Sequence, residues 1–353
     1  MEFSINRDVF LKALGHANGI IEKKTTLPIL SNILIEAKDS KIRITATDLD
    51  IIYSEAIPLE ELKKEGSTTT SASILYDILR KLKPNAKIEL LLQNSNKIKL
   101  VSENSKFNLL CLPSDNFPLS DENINTKGFE VSSEKLLKIL NKTKISISND
   151  ETRHYLNGIY FHKIKLENKS FLCCVATDSH RLSSSSLEIN SEINIEPIIL
   201  PKKTIFQLCS LLDNYDGDVK VSNMKSKIKF ELKNSILISK LIDGKFPNYI
   251  QVIPKNNQKK LEVDLKLFLD SVDRVASVSL DKKDGVKFQL TKDNLNLSVN
   301  NTNSGDGNET LAVNFENDLE ISFNSRYLID VASQLDGEKI QIFFHDSGSP
   351  ALI

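Results

Sequence analysis

Glu2–Leu14 reads E-F-S-I-N-R-D-V-F-L-K-A-L, Gly128–Leu140 reads G-F-E-V-S-S-E-K-L-L-K-I-L, and Lys260–Val272 reads K-L-E-V-D-L-K-L-F-L-D-S-V. The three stretches share one plan. Alternating apolar residues (Phe3 and Ile5, Phe129 and Val131, Leu261 and Val263) predict a short strand with one buried face. A residue of N-cap type follows in each copy: Asn6, Ser132 or Asp264. Its side-chain oxygen can accept from the orphan N–H groups of the next turn, and an amphipathic helical pattern comes after it. The stretches start at residues 2, 128 and 260, so they lie 126 and 132 residues apart, about one domain length. Repetition of a whole domain constrains this chain more than any single residue does.

The copies match beyond their openings. A second helix is predicted over Ser73–Leu82, Thr204–Leu212 and Ser325–Leu335. After each comes a turn rich in Pro, Asn, Asp or Gly, and then a strand over Lys87–Gln93, Asp218–Ser222 or Lys339–His345. Between the helices lies a β meander, read as Ile33–Glu36, Lys41–Thr47 and Ile51–Ile57 in copy one. In copy two it is read as Gly158–His162, Ser170–Thr177 and Leu182–Ile189. Copies one and two close alike, on Leu112–Pro118 (L-P-S-D-N-F-P) and Leu241–Pro247 (L-I-D-G-K-F-P). Strands follow one another instead of alternating with helices, so the class is α+β with largely antiparallel sheet. Three domains are expected, over residues 1–120, 128–248 and 258–353.

The 353 residues suffice for three such domains, and 40% hydrophobic content for their cores. No apolar run approaches the roughly 20 residues of a membrane span, so no membrane partner is expected. Glu2, Arg7, Asp8 and Lys12 put charge where a secretory signal is apolar. The four cysteines (Cys111, Cys173, Cys174, Cys209) lie in apolar segments. Cys173 and Cys174 would point to opposite faces of a strand, so buried free thiols in a reducing cytoplasm are expected.

The formal net charge is −1, which argues against gripping nucleic acid by bulk charge. The distribution is more informative. Lys135, Lys138, Lys142 and Lys144 mark one helix, Arg80, Lys81 and Lys83 a second, and Arg7, Lys12 and His16 a third. Lys202 and Lys203 open a fourth, while Lys266 and Arg274 are offset by Asp264, Asp270 and Asp273. Any one of these is an ordinary solvated helix face. Four at matching places in a repeat suggest a positive surface suited to phosphates, without a base code.

The chain has no G-x-x-x-x-G-K-[ST], G-x-G-x-x-G, H-E-x-x-H or C-x-x-C motif. One constellation remains, A-T-D-S-H-R at Ala176–Arg181. On a strand Asp178 and His180 would share a face and could pair as acid and base. No nucleophile or second metal ligand is nearby, and copy one has A-T-D-L-D at Ala46–Asp50, without His or Arg. Three readings stand: a catalytic pair, a structural turn, and a site for a ligand or peptide, which the decorated repeat favours.

Thr26–Leu34 (T-L-P-I-L-S-N-I-L), Tyr155–Ile159 (Y-L-N-G-I), Ala176–Leu182 (A-T-D-S-H-R-L), Ser239–Tyr249 (S-K-L-I-D-G-K-F-P-N-Y) and Val252–Asn256 (V-I-P-K-N) carry a resemblance. In these motifs, and collinearly over nearly its whole length, the chain resembles the bacterial sliding clamps, beta subunits of DNA polymerase III. The resemblance implies a DNA-clamp fold of three repeated domains per chain, with helices lining the pore of a ring and antiparallel sheets outside. It implies a head-to-tail homodimer around duplex DNA. It implies a processivity factor that is not an enzyme and needs no cofactor or metal. Its partners would be the polymerase III catalytic subunit, the clamp loader and other proteins with a clamp-binding motif.

Carried over by residue, the DNA-facing set is Lys24, Arg80, His154, Tyr155, Lys202 and Lys203, to which repeat position and charge add Lys138 and Lys142. The implied peptide pocket is Leu156, Thr177, His180, Arg181, Leu182, Pro247, Val252 and Tyr327. Gln251 stands where the family often has Arg. The family also continues past a segment like Ser347–Ile353 to a Met-Pro-x-Arg tail lining this pocket, so an incomplete third domain is expected. The implied dimer interface joins Lys106, Phe107 and Leu109 of copy one to Ser277, Val278, Asp306 and Glu309 of copy three. On the residues alone, Phe107 and Leu109 read equally as core. Two further classes remain open: a hydrolase centred on Asp178 and His180, and a monomeric peptide-binding scaffold that closes no ring.

Overall fold

The computed structural model describes residues 1–22, 27–94, 96–119, 128–193, 195–279 and 285–353. Copy one runs β1 (Glu2–Asn6), α1 (Arg7–Ile20), β2 (Asn32–Lys38), β3 (Lys41–Thr47), β4 (Ile51–Pro58), β5 (Glu61–Lys64), β6 (Gly66–Ser71), α2 (Ala72–Lys81), β7 (Lys87–Asn94), β8 (Lys97–Ser102) and β9 (Ser105–Leu112). Copy two runs β10 (Phe129–Ser132), α3 (Ser133–Lys144), β11 (Gly158–Leu166), β12 (Lys169–Thr177), β13 (Leu182–Ile189), β14 (Ile198–Pro201), α4 (Lys202–Leu212), β15 (Asp218–Met224), β16 (Lys227–Glu231) and β17 (Ser235–Lys240). Copy three runs β18 (Lys259–Asp264), α5 (Leu265–Ala276), β19 (Gly285–Leu290), β20 (Asn294–Asn301), β21 (Gly305–Ala312), β22 (Leu319–Asn324), α6 (Ser325–Ala332) and β23 (Lys339–Phe344).

Caps set the helix starts. The Asn6 side chain accepts from Asp8 N at 2.9 Å, and Asp264 accepts from Leu267 N at 2.7 Å. Asn324 accepts from Arg326 N at 3.0 Å and Tyr327 N at 3.3 Å. Each satisfies N–H groups that the first turn leaves without helical partners. The buried stripe of α1 is Phe10, Ala13, Leu14, Ala17 and Ile20, the spacing of one helix face. The C-terminus of α2 is capped from outside. Arg7 Nε donates to Leu79 O at 2.7 Å and its Nη2 to Arg80 O at 2.8 Å. Arg7 thus locks α1 to α2 and is not part of a free positive surface.

The last predicted helix is shorter than expected. It ends at Ala332 instead of Leu335, because its last turn tightens: Gln334 N bonds Val331 O and Leu335 N bonds Ala332 O. Such i→i−3 bonds are how helix ends spend their orphan carbonyls.

By contacts the chain divides into two compact units: Met1–Leu140 with Asn149–Val175 and Ser185–Gly244, and Asn141–Ser148 with Ala176–Ser184 and Lys245–Ile353. In the first unit one sheet runs in the order β10-β15-β16-β17-β4-β3-β2-β6-β9-β8-β7-β1-β5, so strands of copies one and two share a single ladder. The seam is β17 against β4, antiparallel, with Leu237 opposite Tyr53 and Ile238 opposite Ile52. A smaller sheet follows the order β13-β12-β11-β14. Copy three, in the second unit, has the sheet β21-β20-β19-β22 and the pair β18-β23. Its core holds Phe268, Phe288, Phe315 and Phe344, each no more than 1% exposed, with Phe268 edge-on to Phe288 at 6.0 Å. Burying a side chain of that size contributes about 1.5–3 kcal/mol.

Candidate nucleic-acid and peptide interfaces

The cations expected to face DNA differ in how free they are. Arg80, in the last turn of α2, is 60% exposed and only 3.4 Å from Asp77. Lys202 opens α4, donates to Asn149 Oδ1, and stands 5.8 Å from the Phe206 ring centroid. Lys203 is more constrained: its Nζ lies 2.5 Å from Asp48 Oδ2 and 3.5 Å from Glu22 Oε1. Lys138 is exposed on α3, and Lys142, 28% exposed, bonds Asp336 Oδ2 at 2.5 Å. His154 and Tyr155 lie in the short 3-10 helix Glu151–Leu156, with His154 Nε2 3.2 Å from Asp243 O. Gly244 follows with φ +151°, and a Cβ there would come within 3.1 Å of Tyr155 Cβ. A side chain at residue 244 would therefore be strained by its backbone and press on Tyr155. Lys24 lies outside the described residues.

His16, grouped by sequence with the basic helix faces, turns inward. Its Nδ1 is 3.3 Å from Tyr53 Oη and 3.6 Å from Glu55 Oε2. Burial, with Glu55 beside it, raises the Tyr53 hydroxyl well above the ordinary phenol range.

The segment around Asp178 and His180 is a turn and not a strand. The shared-face pairing expected from alternation is therefore absent. Asp178 Oδ1 accepts from His180 N and Arg181 N, both at 3.0 Å. Thr177 Oγ1 accepts from Ser179 N at 3.2 Å and donates to Arg181 O at 2.8 Å. Copy one builds the same turn. Asp48 Oδ1 accepts from Asp50 N at 3.0 Å and Ile51 N at 2.7 Å. Thr47 Oγ1 accepts from Leu49 N at 3.0 Å and donates to Ile51 O at 2.9 Å. Leu49 and Ser179 share φ +77°, a region costly for residues with a Cβ and held here by the Asx-type bonds. The backbone therefore needs Thr and Asp, and needs neither His180 nor Arg181.

Those two side chains serve a cluster instead. The Arg181 guanidinium carbon lies 4.2 Å from the Tyr327 ring centroid. Its Nε donates to Asp178 Oδ2 at 3.2 Å and its Nη1 to Asp330 Oδ2 at 2.8 Å. The His180 ring is tilted to Tyr327, 6.4 Å between centroids. Thr177, His180, Arg181, Leu182, Pro247, Val252 and Tyr327 all belong to the second unit, and Leu156, 3% exposed, to the first. Leu182 is half-buried, Pro247 exposed, and Val252 62% exposed at the end of a 3-10 turn. Asp330 carried no signal in the sequence: it stands as an ordinary acid on a helix.

The interface residues divide by face. Phe107 pairs with Leu100 and Leu109 with Ile98 across β8-β9. Ile98 and Leu100 are fully buried and Leu109 is 9% exposed, so this side of β9 packs on the core. Lys106 and Leu110 face out, Leu110 at 75% exposure, and Leu110 escaped the sequence reading. The ladder between β9 and β6 pairs only Cys111 and Leu112. The side of β9 from Ser105 to Leu110 away from β8 therefore has no strand partner among the described residues. In copy three β21 ends its sheet. Its Glu309 accepts from Arg274 Nη2 at 2.6 Å and from Ser271 Oγ at 2.8 Å. The Arg274 hydrogen bonds hold the Glu309 carboxyl below the ordinary range. Asp306 is exposed on the same strand. Ser277 donates to Arg274 O at 2.6 Å, and half-buried Val278 packs beside Gly307, where a Cβ would meet it at 2.9 Å.

Comparison with known proteins matches this arrangement along the whole chain. Family models of the DNA polymerase III beta subunit cover residues 1–121 (N-terminal domain), 130–248 (central domain) and 250–353 (C-terminal domain). The beta sliding clamp of Caulobacter vibrioides is 36% identical over 357 residues, spanning all of this chain and 95% of the relative. That of Rickettsia felis is 32% identical over 367 residues, with the same coverage. The crystal structure of the Bartonella birtlesii sliding clamp bound to griselimycin superposes with a TM-score of 0.93 at 39% identity, over 99% of this chain and 94% of that one. The Pseudomonas aeruginosa clamp bound to griselimycin gives 0.90 at 31% identity, with the same coverage. Three domain families in order, on one continuous alignment, place the chain among the beta sliding clamps, the non-catalytic processivity subunits of DNA polymerase III in DNA replication.

Proposed function

We propose that two copies of this chain close head to tail around duplex DNA and slide on it while tethering a polymerase. The observation that carries this reading is the continuous three-domain match, which extends over helices bearing Arg80, Lys138 and Lys202 at repeated places. Contacts to phosphate set no register, so a ring held by topology can stay on and still move. Lys24, Lys142, Lys203, His154 and Tyr155 complete the proposed DNA-facing set, with Lys142 and Lys203 exchanging protein carboxylates for phosphate. The open side of β9 with Lys106, Phe107, Leu109 and Leu110 would meet β21 of a second copy, Asp306 and Glu309 supplying charge beside Ser277 and Val278. Sheet edges with unpaired N–H and C=O groups are ready-made for such pairing.

The three domains are assigned to residues 1–120, 128–248 and 258–353. Thr177, His180, Arg181, Leu182, Pro247, Val252 and Tyr327, all of the second unit, would receive short peptides with leucine and aromatic anchors; Leu156, which the resemblance names with them, belongs to the first unit. Those peptides belong to the polymerase III catalytic subunit, the clamp loader and other clamp-binding proteins. No helix among the described residues is long and apolar enough to cross a membrane, and a cytoplasmic place is part of this reading. Retention on plasmid is the test. Loaded on a closed circle the protein should stay until the circle is linearised, whereas equal loss from both would sink the ring.

A further inference from the structure

The Arg181 cluster has a charge balance that its position alone does not require. Around one guanidinium stand two carboxylates, Asp178 at 3.2 Å and Asp330 at 2.8 Å. The Arg181 and Asp178 side chains are each 16% exposed and Asp330 is 30% exposed, so water screens the group only in part. Asp178 is committed by its other oxygen to the turn. Asp330 is not: it comes from α6, three residues after Tyr327 and on the same helix face. The helix therefore delivers to Arg181 both the ring beneath it and a carboxylate at its edge. The third nitrogen, Nη2, has no protein acceptor among the described residues and stays available to a carbonyl of a docked chain.

We propose that Asp330 is a positioning residue of the peptide pocket: it holds the Arg181 guanidinium over Tyr327 and, together with Asp178, offsets its charge. The pocket then offers a planar hydrogen-bond donor in place of a cation. It selects peptides by apolar anchors and an uncharged acceptor, and gains nothing from an acidic residue between the anchors. This rests on the peptide-docking reading of the same residues.

The experiment is calorimetric titration of the full chain with two short peptides. Both carry the same leucine and phenylalanine anchors, and they differ only in an aspartate or an asparagine between them. The unaltered protein should bind the two within about threefold of each other. Asp330→Asn keeps the shape and removes the charge, so it should favour the aspartate peptide by about tenfold, as expected for releasing one charge at close range in a partly screened site. That preference should shrink as salt rises, and Asp330→Glu should restore the parental ratio. A merely structural role for Asp330 would weaken both peptides alike and leave their ratio unchanged. An unchanged ratio in Asp330→Asn, with binding intact, overturns this proposal alone. So does a tenfold aspartate preference already present in the unaltered protein. Binding of neither peptide to the unaltered protein overturns the docking reading and this proposal with it.

Discussion

His16, Lys142 and Arg274 each stand ten residues after the cap position of their helix (6, 132 and 264), and each has a carboxylate beside it. Their partners are Glu55 at 3.6 Å, Asp336 at 2.5 Å and Glu309 at 2.6 Å. Sequence shows the three basic residues at matching places but not their neighbours, because the carboxylates come from distant strands and turns. A cation already paired gives less to a phosphate than a free one does, since it must first leave its partner. Arg80 has a longer, exposed ion pair with Asp77 at 3.4 Å, so Arg80→Ala should lower the salt slope of DNA binding by about one, the contribution of one phosphate contact. Lys203→Ala should lower it by less, because Asp48 and Glu22 hold that ammonium. Binding isotherms across a salt series check this; a larger change for Lys203→Ala than for Arg80→Ala would contradict it.

Among the elements, β9 shows where reading a sequence stops. In K-F-N-L-L two leucines are adjacent, and alternation alone does not say which faces out. The neighbouring β8 decides it: Ile98 and Leu100 are buried opposite Leu109 and Phe107, which turns Leu110 outward. Leu109→Ala should thus read mainly as a core cavity, costing the fold about 2–5 kcal/mol. Leu110→Asp should leave thermal stability within about 0.5 kcal/mol, as an exposed position predicts. It should nevertheless move the mass in light scattering from about 79 kDa, twice 39.7 kDa, toward the monomer. A Leu110→Asp protein that remains as dimeric as its parent at micromolar concentration would argue against β9 as the seam between copies. The capped helices and most meander strands were legible because each has a local signature: a cap, a period or a turn residue. Asp330, the inward course of His16 and the pairing of β4 with β17 were not, because they depend on which distant segments meet.

In the molecule as a whole, copies that repeat in sequence do not stand as equals in structure. Copies one and two share one ladder through β4 and β17, while copy three, among the described residues, has its own sheet and the pair β18-β23. The seam is reinforced along its length. Lys240 bonds Asp50 at 2.9 Å, Ala56 N bonds Asn234 O at 2.9 Å, and Gln207 Nε2 bonds His16 O at 2.8 Å.

That seam makes the protein divisible. Cut between Leu119 and Gly128, the chain would yield two fragments whose raw edges, β4 on one and β17 on the other, are complementary by construction. Expressed together, residues 1–119 and 128–353 should find each other and copurify, and Ile238→Pro should keep them apart by removing a ladder donor. Soluble fragments that ignore one another would disprove this. If they do reassociate, the same edges allow a clamp to be assembled on command by fusing each half to a switchable pairing module. Polymerase tethering could then be turned on in a chosen cell at a chosen moment.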